Sequence, residues 1–141
     1  MPQQRSAQVF LDLWSAARRS VAAVSDALAE RGIGDHELAV LLHLAAAERP
    51  LTLTELAEEM GVAFMTASDA VTRLEREGDV RREANPTDRR SNLIALTREG
   101  KRRATAATNV VSRLADDLGS RDELERNAAR LREAFTSLTK P

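Results

Sequence analysis

The stretch from Val80 to Thr97, VRREANPTDRRSNLIALT, constrains the fold more than any other part of the chain, because it has the pattern of a β-hairpin. Its arms are the short β-like runs 80–83 and 92–96. Residues 85–88, Asn-Pro-Thr-Asp, favour a turn because Asn and Asp bond their own backbone and Pro presets φ. The adjacent cations Arg89 and Arg90 are therefore expected at or just past the tip of the hairpin.

A helix–turn–helix pattern occupies residues 54–77, directly before the hairpin, and residues 51–53 are expected to form a very short strand that pairs with the hairpin. Thr52 and Glu55 have the spacing of a capping box, which opens a helix that reaches Met60. Gly61 suits the sharp turn between the two helices because glycine tolerates positive φ. The second helix of the pair is expected to run from about residue 63 or 64 to 77 and to end at Gly78. Its predicted inner face consists of Ala67, Ala70, Val71 and Leu74. A helix pair followed by a basic hairpin predicts a mainly α (α+β) fold of the winged helix–turn–helix type. In such a fold one helix can enter a DNA major groove while the hairpin tip reaches a neighbouring minor groove.

Helices are also expected before this unit. Apolar residues recur at three- and four-residue steps from 5 to 31, which predicts one long helix with a single apolar stripe. The stripe consists of Phe10, Leu13, Trp14, Ala17, Val21, Val24 and Leu28. Gly32 and Gly34 end this helix, and Asp35 is the expected N-cap of a second helix over 36–47. The predicted buried face of that helix consists of Leu38, Leu41, Leu42 and Ala45.

Two more helices are expected after the hairpin. Thr97 can cap a fifth helix that reaches Leu118, and Gly119 breaks it. A second capping box begins at Ser120 and opens a sixth helix. The helices at 5–31 and 98–139 carry more apolar surface than is needed to pack against the helix–turn–helix and its hairpin. We therefore expect them to form a two-fold dimer interface. The alternative is a bundle formed within one chain.

Composition limits the functional classes. The 141 residues suit one globular domain, and the absence of Cys excludes disulfides, thiolate metal sites and thiol redox sensing. The sequence has no apolar run of membrane-spanning length and no apolar signal core at its N-terminus, so a cytoplasmic protein is expected, without a membrane partner. The net charge is only −1, but residues 81–103 contain 8 basic and 3 acidic side chains. Positive charge thus coincides with the hairpin, which favours nucleic acid over an ordinary solvated surface.

The segment LTELAEEMGV…VTRLEREGDVRRE…PTDRRSNLIALTREGK, with Asp88-Arg89-Arg90 and Leu96-Thr97 as a wing motif, resembles the MarR family of bacterial winged helix–turn–helix regulators. The resemblance implies a single domain over 1–141, with a DNA-binding lobe at 34–97 and dimerisation helices at 5–31 and 98–139. It also implies a homodimer that binds palindromic double-stranded DNA, usually near its own promoter. Small phenolic or aromatic ligands often relieve that binding.

By the same resemblance, Arg90 stands for the wing arginine that enters the minor groove, where a narrow A/T-rich groove has strengthened negative potential. We expect Asp88 to hold and orient Arg90 by a charge-assisted contact, and Arg89 to contact phosphate. The alternative is a surface ion pair of little energetic weight.

The outward residues of the recognition helix are also expected to contact DNA. Thr66 and Ser68 can reach base edges or phosphates, whereas Thr72, Arg73 and Arg76 face the DNA backbone. Arg73 could equally be an internal brace to an acidic neighbour.

The first turns of this helix depart from the common family pattern. Ala63 lacks the side-chain oxygen of a Ser or Thr cap, which costs roughly 1 kcal/mol. Phe64 and Met65 occupy positions where polar readers are usual, and they could touch thymine methyl groups or pack on the preceding helix. Asp69 would repel phosphate or accept a hydrogen bond from cytosine N4.

An effector site is expected where the first two helices would meet, with Trp14, His36 and His43 as its tentative lining. Packing is the alternative for Trp14, and an ordinary hydrogen-bonded role is the alternative for each His. Two His without Cys do not predict a metal site, and no cofactor is expected. An enzyme is not expected, because the sequence lacks a phosphate-binding glycine loop and a nucleophile elbow.

The sequence therefore favours a homodimeric, sequence-specific DNA-binding transcriptional regulator, acting as a repressor. The alternative is a winged-helix protein-interaction module that has lost DNA reading, for which Phe64, Met65, Asp69 and the near-zero net charge argue.

Overall fold

Six helices and three short strands make up the described part of the computed structural model, which comprises residues 2–116 and 121–139. The elements follow in the order α1 (Pro2–Ala29), α2 (Asp35–Ala47), β1 (Leu51–Thr52), α3 (Leu53–Met60), α4 (Phe64–Glu77), β2 (Val80–Ala84), β3 (Asn92–Leu96), α5 (Arg98–Asp116) and α6 (Arg121–Thr139). The chain divides into two compact units, residues 1–108 and 109–141. This element order confirms the predicted winged helix–turn–helix. Leu118, Gly119 and Ser120, to which a helix end and a cap were assigned, lie outside the described residues.

A three-stranded antiparallel sheet in the order β1-β3-β2 forms the base of the hairpin. The register pairs Val80 with Leu96 and Ala84 with Asn92, so the hairpin loop spans residues 85–91. The predicted short strand after α2 is confirmed, because Leu51 pairs with Ile94. Side chains from α2, α3, α4, the sheet and the start of α5 form the core: Val40, Leu41, Leu44, Leu51, Leu56, Ala70, Val71, Leu74, Val80, Ile94 and Ala104.

Local capping signals set the ends of α3 and α4 as predicted. The Glu55 backbone N–H donates to the Thr52 hydroxyl at 3.1 Å, and the Thr52 N–H donates to the Glu55 carboxylate at 2.8 Å. The hydrogen bond from the Thr52 backbone N–H lowers the pKa of Glu55, helped by a hydrogen bond from Arg49. Gly61 and Gly78 end α3 and α4 with φ of +67° and +83°, the left-handed region that glycine adopts without a Cβ penalty.

The start of α2 differs from the prediction, because Gly34 and not Asp35 is its N-cap. The Asp35 carboxylate instead accepts a hydrogen bond from the Ser25 hydroxyl of α1. The Gly34 N–H donates to the carboxylate of Glu37 at 3.3 Å, which satisfies one of the free amides at this helix end. The buried face of α2 also differs, since Val40 and Leu44 are buried whereas Leu42 and Ala45 are only half-buried.

The apolar stripe of α1 is mostly solvent-exposed in the single chain. Leu28 is the one buried residue of this 28-residue helix. Six large apolar side chains are 40% to 58% exposed. They are Val9, Phe10, Leu11, Leu13, Trp14 and Val21. An exposed apolar surface of this kind marks an interaction site in a soluble protein. None of the helices in the described ranges has the length and hydropathy needed to cross a membrane.

A buried junction joins the end of α4 to the start of α5. Asp79 is 2% exposed, and its carboxylate pairs with the Arg103 guanidinium, which also binds Glu77 at 3.0 Å. Burial raises the pKa of the Asp79 carboxyl, against the lowering effect of Arg103. The Thr97 N–H donates to the Asp79 carbonyl oxygen at 2.9 Å. The Thr97 hydroxyl accepts from the Gly100 N–H at 3.1 Å, and this hydrogen bond confirms Thr97 as the cap of α5.

Candidate nucleic-acid interface

The outer surface of α4 is a row of residues directly opposite its buried face. Ala67, Ala70, Val71 and Leu74 face the core, as predicted. With 3.6 residues per turn, Met65, Asp69, Thr72 and Arg76 fall on one line on the opposite side. Met65, Asp69 and Arg76 are exposed, and Thr72 is half-buried. The helix therefore presents a row with an apolar residue first, an acid in the middle and a base at its end.

The hydroxyl-bearing residues of α4 are less accessible than that row. Thr66, Ser68 and Thr72 are all half-buried. The Thr72 hydroxyl donates to the Ser68 carbonyl oxygen at 2.9 Å, the hydrogen bond to the preceding turn that Thr commonly forms in a helix. It also accepts from the Arg82 guanidinium at 3.4 Å. Thr72 is thus held by contacts within the protein.

Arg73 lies beside α2 and contacts an acidic residue there. Its guanidinium is 3.3 Å from Glu37, whose side chain is only 8% exposed. The same carboxylate accepts from the Gly34 N–H. This geometry favours the brace interpretation of Arg73, because the pair ties α4 to the N-terminus of α2.

The N-terminus of α4 carries the predicted departures. Ala63 occupies the N-cap without a side-chain hydrogen bond. Phe64 and Met65 are 50% and 64% exposed, so packing against the core does not account for these side chains.

The hairpin loop is ordered by hydrogen bonds from its own side chains. Asn85 accepts from the Thr87 N–H at 3.1 Å and donates to the Ser91 hydroxyl at 3.0 Å. The Asp88 carboxylate accepts from the Arg90 backbone N–H at 2.9 Å. Asp88 therefore holds Arg90 through its backbone N–H, and the Arg90 side chain is exposed. Within the described residues, Arg89 and Arg90 form no ion pair, so both cations face solvent.

Arg82 links the hairpin to α4, a role that sequence reasoning missed. Its Nε is 3.2 Å from the Glu75 carboxylate, and its guanidinium also donates to Thr72. Arg81, the next residue, points elsewhere and pairs with Glu83 at 2.7 Å. The alternation of successive side chains along a strand was a signal only that the two adjacent arginines point to opposite faces of the sheet.

The three tentative effector residues are not joined by any contact in the described part of the chain. Trp14 is 52% exposed and lies beneath the Arg18 guanidinium, 5.4 Å from the ring centre. His36 is exposed, and the His43 Nδ1 is 2.7 Å from the Ala39 carbonyl oxygen. A cavity of about 480 Å³ lies instead between α2, the sheet and α5, with Arg49, Arg81 and Lys101 among its lining residues.

Comparisons with known proteins agree with this geometry. The MarR family sequence profile matches residues 36–91. The HTH-type transcriptional regulator YdcH of Bacillus subtilis (strain 168) is 30% identical over 105 residues, which cover 72% of this chain and 71% of YdcH. The HTH-type transcriptional repressor YetL of the same organism is 31% identical over 99 residues, covering 70% of this chain and 59% of YetL.

A crystal structure of AbfR bound to DNA superposes with a TM-score of 0.74 at 25% identity, covering 98% of this chain and 99% of AbfR. The sequence match, the winged helix–turn–helix and the exposed arginine loop agree with one another. The chain belongs to the MarR family of transcriptional regulators.

Proposed function

We propose that this chain is a homodimeric, sequence-specific DNA-binding repressor that acts in the cytoplasm. Its lobe at 34–97 places α4 in a major groove and the tip of the β2–β3 hairpin in the neighbouring minor groove. The observation that carries the proposal is that the exposed row of α4 and the unpaired cations Arg89 and Arg90 belong to elements tied together by Arg82. AbfR, which is similar over nearly its whole length, has been solved on DNA.

Dimerisation is proposed through the helices at 5–31 and 98–139. The exposed apolar stripe of α1 supports this, because its large side chains have no cover in one chain. A two-fold dimer can set two copies of α4 about 34 Å apart, which matches successive major grooves on one face of a palindromic operator.

Repression relieved by a small aromatic effector is the regulatory part of the proposal. The name of YetL supports a repressor. The half-exposed Trp14 ring supports an aromatic ligand near α1, with His36 and His43 as further candidate contacts. Because Trp14 is the only tryptophan, titration with benzoate as a probe should quench its fluorescence and release bound DNA at the same concentrations. Quenching without release would contradict an effector role.

The test of DNA binding is a mobility shift with DNA from upstream of the gene at about 50 and 200 mM salt. We expect a complex whose affinity falls by orders of magnitude over this range, because phosphate contacts release counterions. Arg90→Ala should weaken it strongly. Arg102→Ala is the matched control, because Arg102 is exposed on α5 and pairs with Glu99 at 2.7 Å, outside the proposed surface.

Two results would contradict the proposal. If no salt-sensitive complex forms at micromolar protein, the chain is better described as a winged-helix protein-interaction module. If Arg90→Ala and Arg102→Ala bind DNA equally well, the hairpin tip has no part in binding.

A further inference from the structure

The first turn of α4 exposes two large apolar side chains at the N-terminal end of the proposed DNA surface. Phe64 and Met65 are 50% and 64% exposed, whereas the other apolar residues of α4 are buried. These two side chains do not pack into the core, so a contribution to folding stability does not explain why large apolar residues occur here.

Helix geometry places Met65 on the side of α4 that can contact base edges. It is the first member of the exposed row that continues through Asp69 and Arg76, on the side opposite the buried face. Phe64 lies about 100° around the helix, toward the side on which Glu75 contacts the hairpin through Arg82. Residues at the N-terminal end of a recognition helix are those that contact base edges in this class of protein.

The charge along the row indicates which part of DNA this end of α4 meets. Asp69 is exposed one turn after Met65, and a carboxylate there repels phosphate. The cations lie elsewhere: Arg76 is roughly 16 Å further along the helix axis from Met65, and Arg89 and Arg90 are on the hairpin. Phosphate contacts are therefore assigned to those arginines, and base edges to the N-terminal half of α4.

Base edges in the major groove offer one apolar group, the 5-methyl of thymine. We infer that Phe64 and Met65 select operator half-sites by burying thymine 5-methyl groups in the major groove, an inference that rests on the proposed DNA-binding function. Direct apolar contact thus takes over the role that polar side chains at these positions would otherwise have. The specificity so gained is for thymine at defined positions within each half-site.

The experiment compares thymine with uracil, which lacks only this methyl group. Duplexes that bind the full chain are first selected from a random library, and each selected thymine is then replaced in turn by deoxyuridine. We expect one or two positions in each half-site at which uracil weakens binding roughly fourfold, the effect of removing one methyl-sized group from a buried contact. The sensitivity should disappear in Met65→Ala or Phe64→Ala and persist in Met65→Leu.

Arg76→Ala is the matched control from the same row. It should weaken thymine and uracil duplexes by the same factor and reduce the salt dependence, because it removes a phosphate contact. The inference is overturned if selected sites contain no required thymine, if uracil is tolerated everywhere, or if Phe64→Ala and Met65→Ala leave the uracil effect intact. Failure of selection to yield any salt-sensitive duplex would instead contradict the proposed function itself.

Discussion

The backbone of Gly100 in α5 lies close to that of Asp79, and this approach makes Gly100→Ala a sharp test of how α4 and α5 pack. A Cβ built on Gly100 would lie 2.8 Å from the carbonyl carbon of Asp79, and closer still to its oxygen. The obstacle is backbone that is itself held by the Thr97 N–H at 2.9 Å. Neither side can move without opening the junction between α4 and α5.

Two opposing effects set the size of the change. Replacing Gly by Ala inside an unhindered helix stabilises it by up to about 1 kcal/mol. Overpacking against a fixed group costs about 1–3 kcal/mol, and loss of the hydrogen bond to Asp79 costs about 1 kcal/mol more. We therefore expect Gly100→Ala to lower the free energy of unfolding by about 2 kcal/mol, with the clash outweighing the gain in helix propensity.

Urea unfolding followed by circular dichroism measures this change, at one fixed protein concentration because the proposed dimerisation would contribute to stability. Lys101→Ala, at the next and exposed position of α5, is the control and should stay within about 0.5 kcal/mol of the original chain. A Gly100→Ala chain as stable as the original, or more stable, would refute the close approach.

Three further substitutions test other contacts. Thr52→Ala should cost about 1 kcal/mol of stability, because the hydroxyl that accepts from the Glu55 N–H is lost. The pKa of Glu55 should stay below its usual value in an NMR titration, because the backbone N–H of residue 52 remains as the donor to its carboxylate. Since the folded pKa of Glu55 lies below its unfolded value, its stabilising contribution is present above the unfolded pKa and is lost as pH falls through the folded one. A Glu55 pKa at its usual value in Thr52→Ala would contradict the backbone N–H as the main cause of the shift. Ala63→Ser should add a missing cap to α4 and raise stability by roughly 1 kcal/mol, so an unchanged midpoint in urea would count against a free amide there. Arg82→Met should weaken DNA binding several-fold while the unfolding midpoint moves little, and equal affinity would show that the hairpin needs no tie to α4.

Elements fixed by local chemistry were predictable from the sequence. The Thr52–Glu55 box, the turns at Gly61 and Gly78 and the cap at Thr97 each depend on residues within a few positions of one another. The buried face of α4 could be predicted from periodicity alone, because a helix with a single apolar stripe turns that stripe toward the core.

Features that depend on the partner of a side chain were not predictable. Asp35 has the chemistry of an N-cap, but its carboxylate accepts a hydrogen bond from the Ser25 hydroxyl, which lies ten positions away in the sequence. Asp88 was correctly placed beside Arg90, yet only the folded loop shows that the backbone N–H is the donor. The link from Arg82 to Glu75 likewise requires the relative position of β2 and α4, which no short motif specifies.

Footprinting of a duplex selected from the random library tests the central claim, that two copies of α4 and two hairpin tips bind the same duplex. Dimethyl sulfate probes guanine in the major groove and adenine in the minor groove within one experiment. We predict two protected major-groove segments about 10 base pairs apart, flanked by minor-groove protection that disappears in Arg90→Ala. A single protected segment, or minor-groove protection that survives Arg90→Ala, would contradict the account.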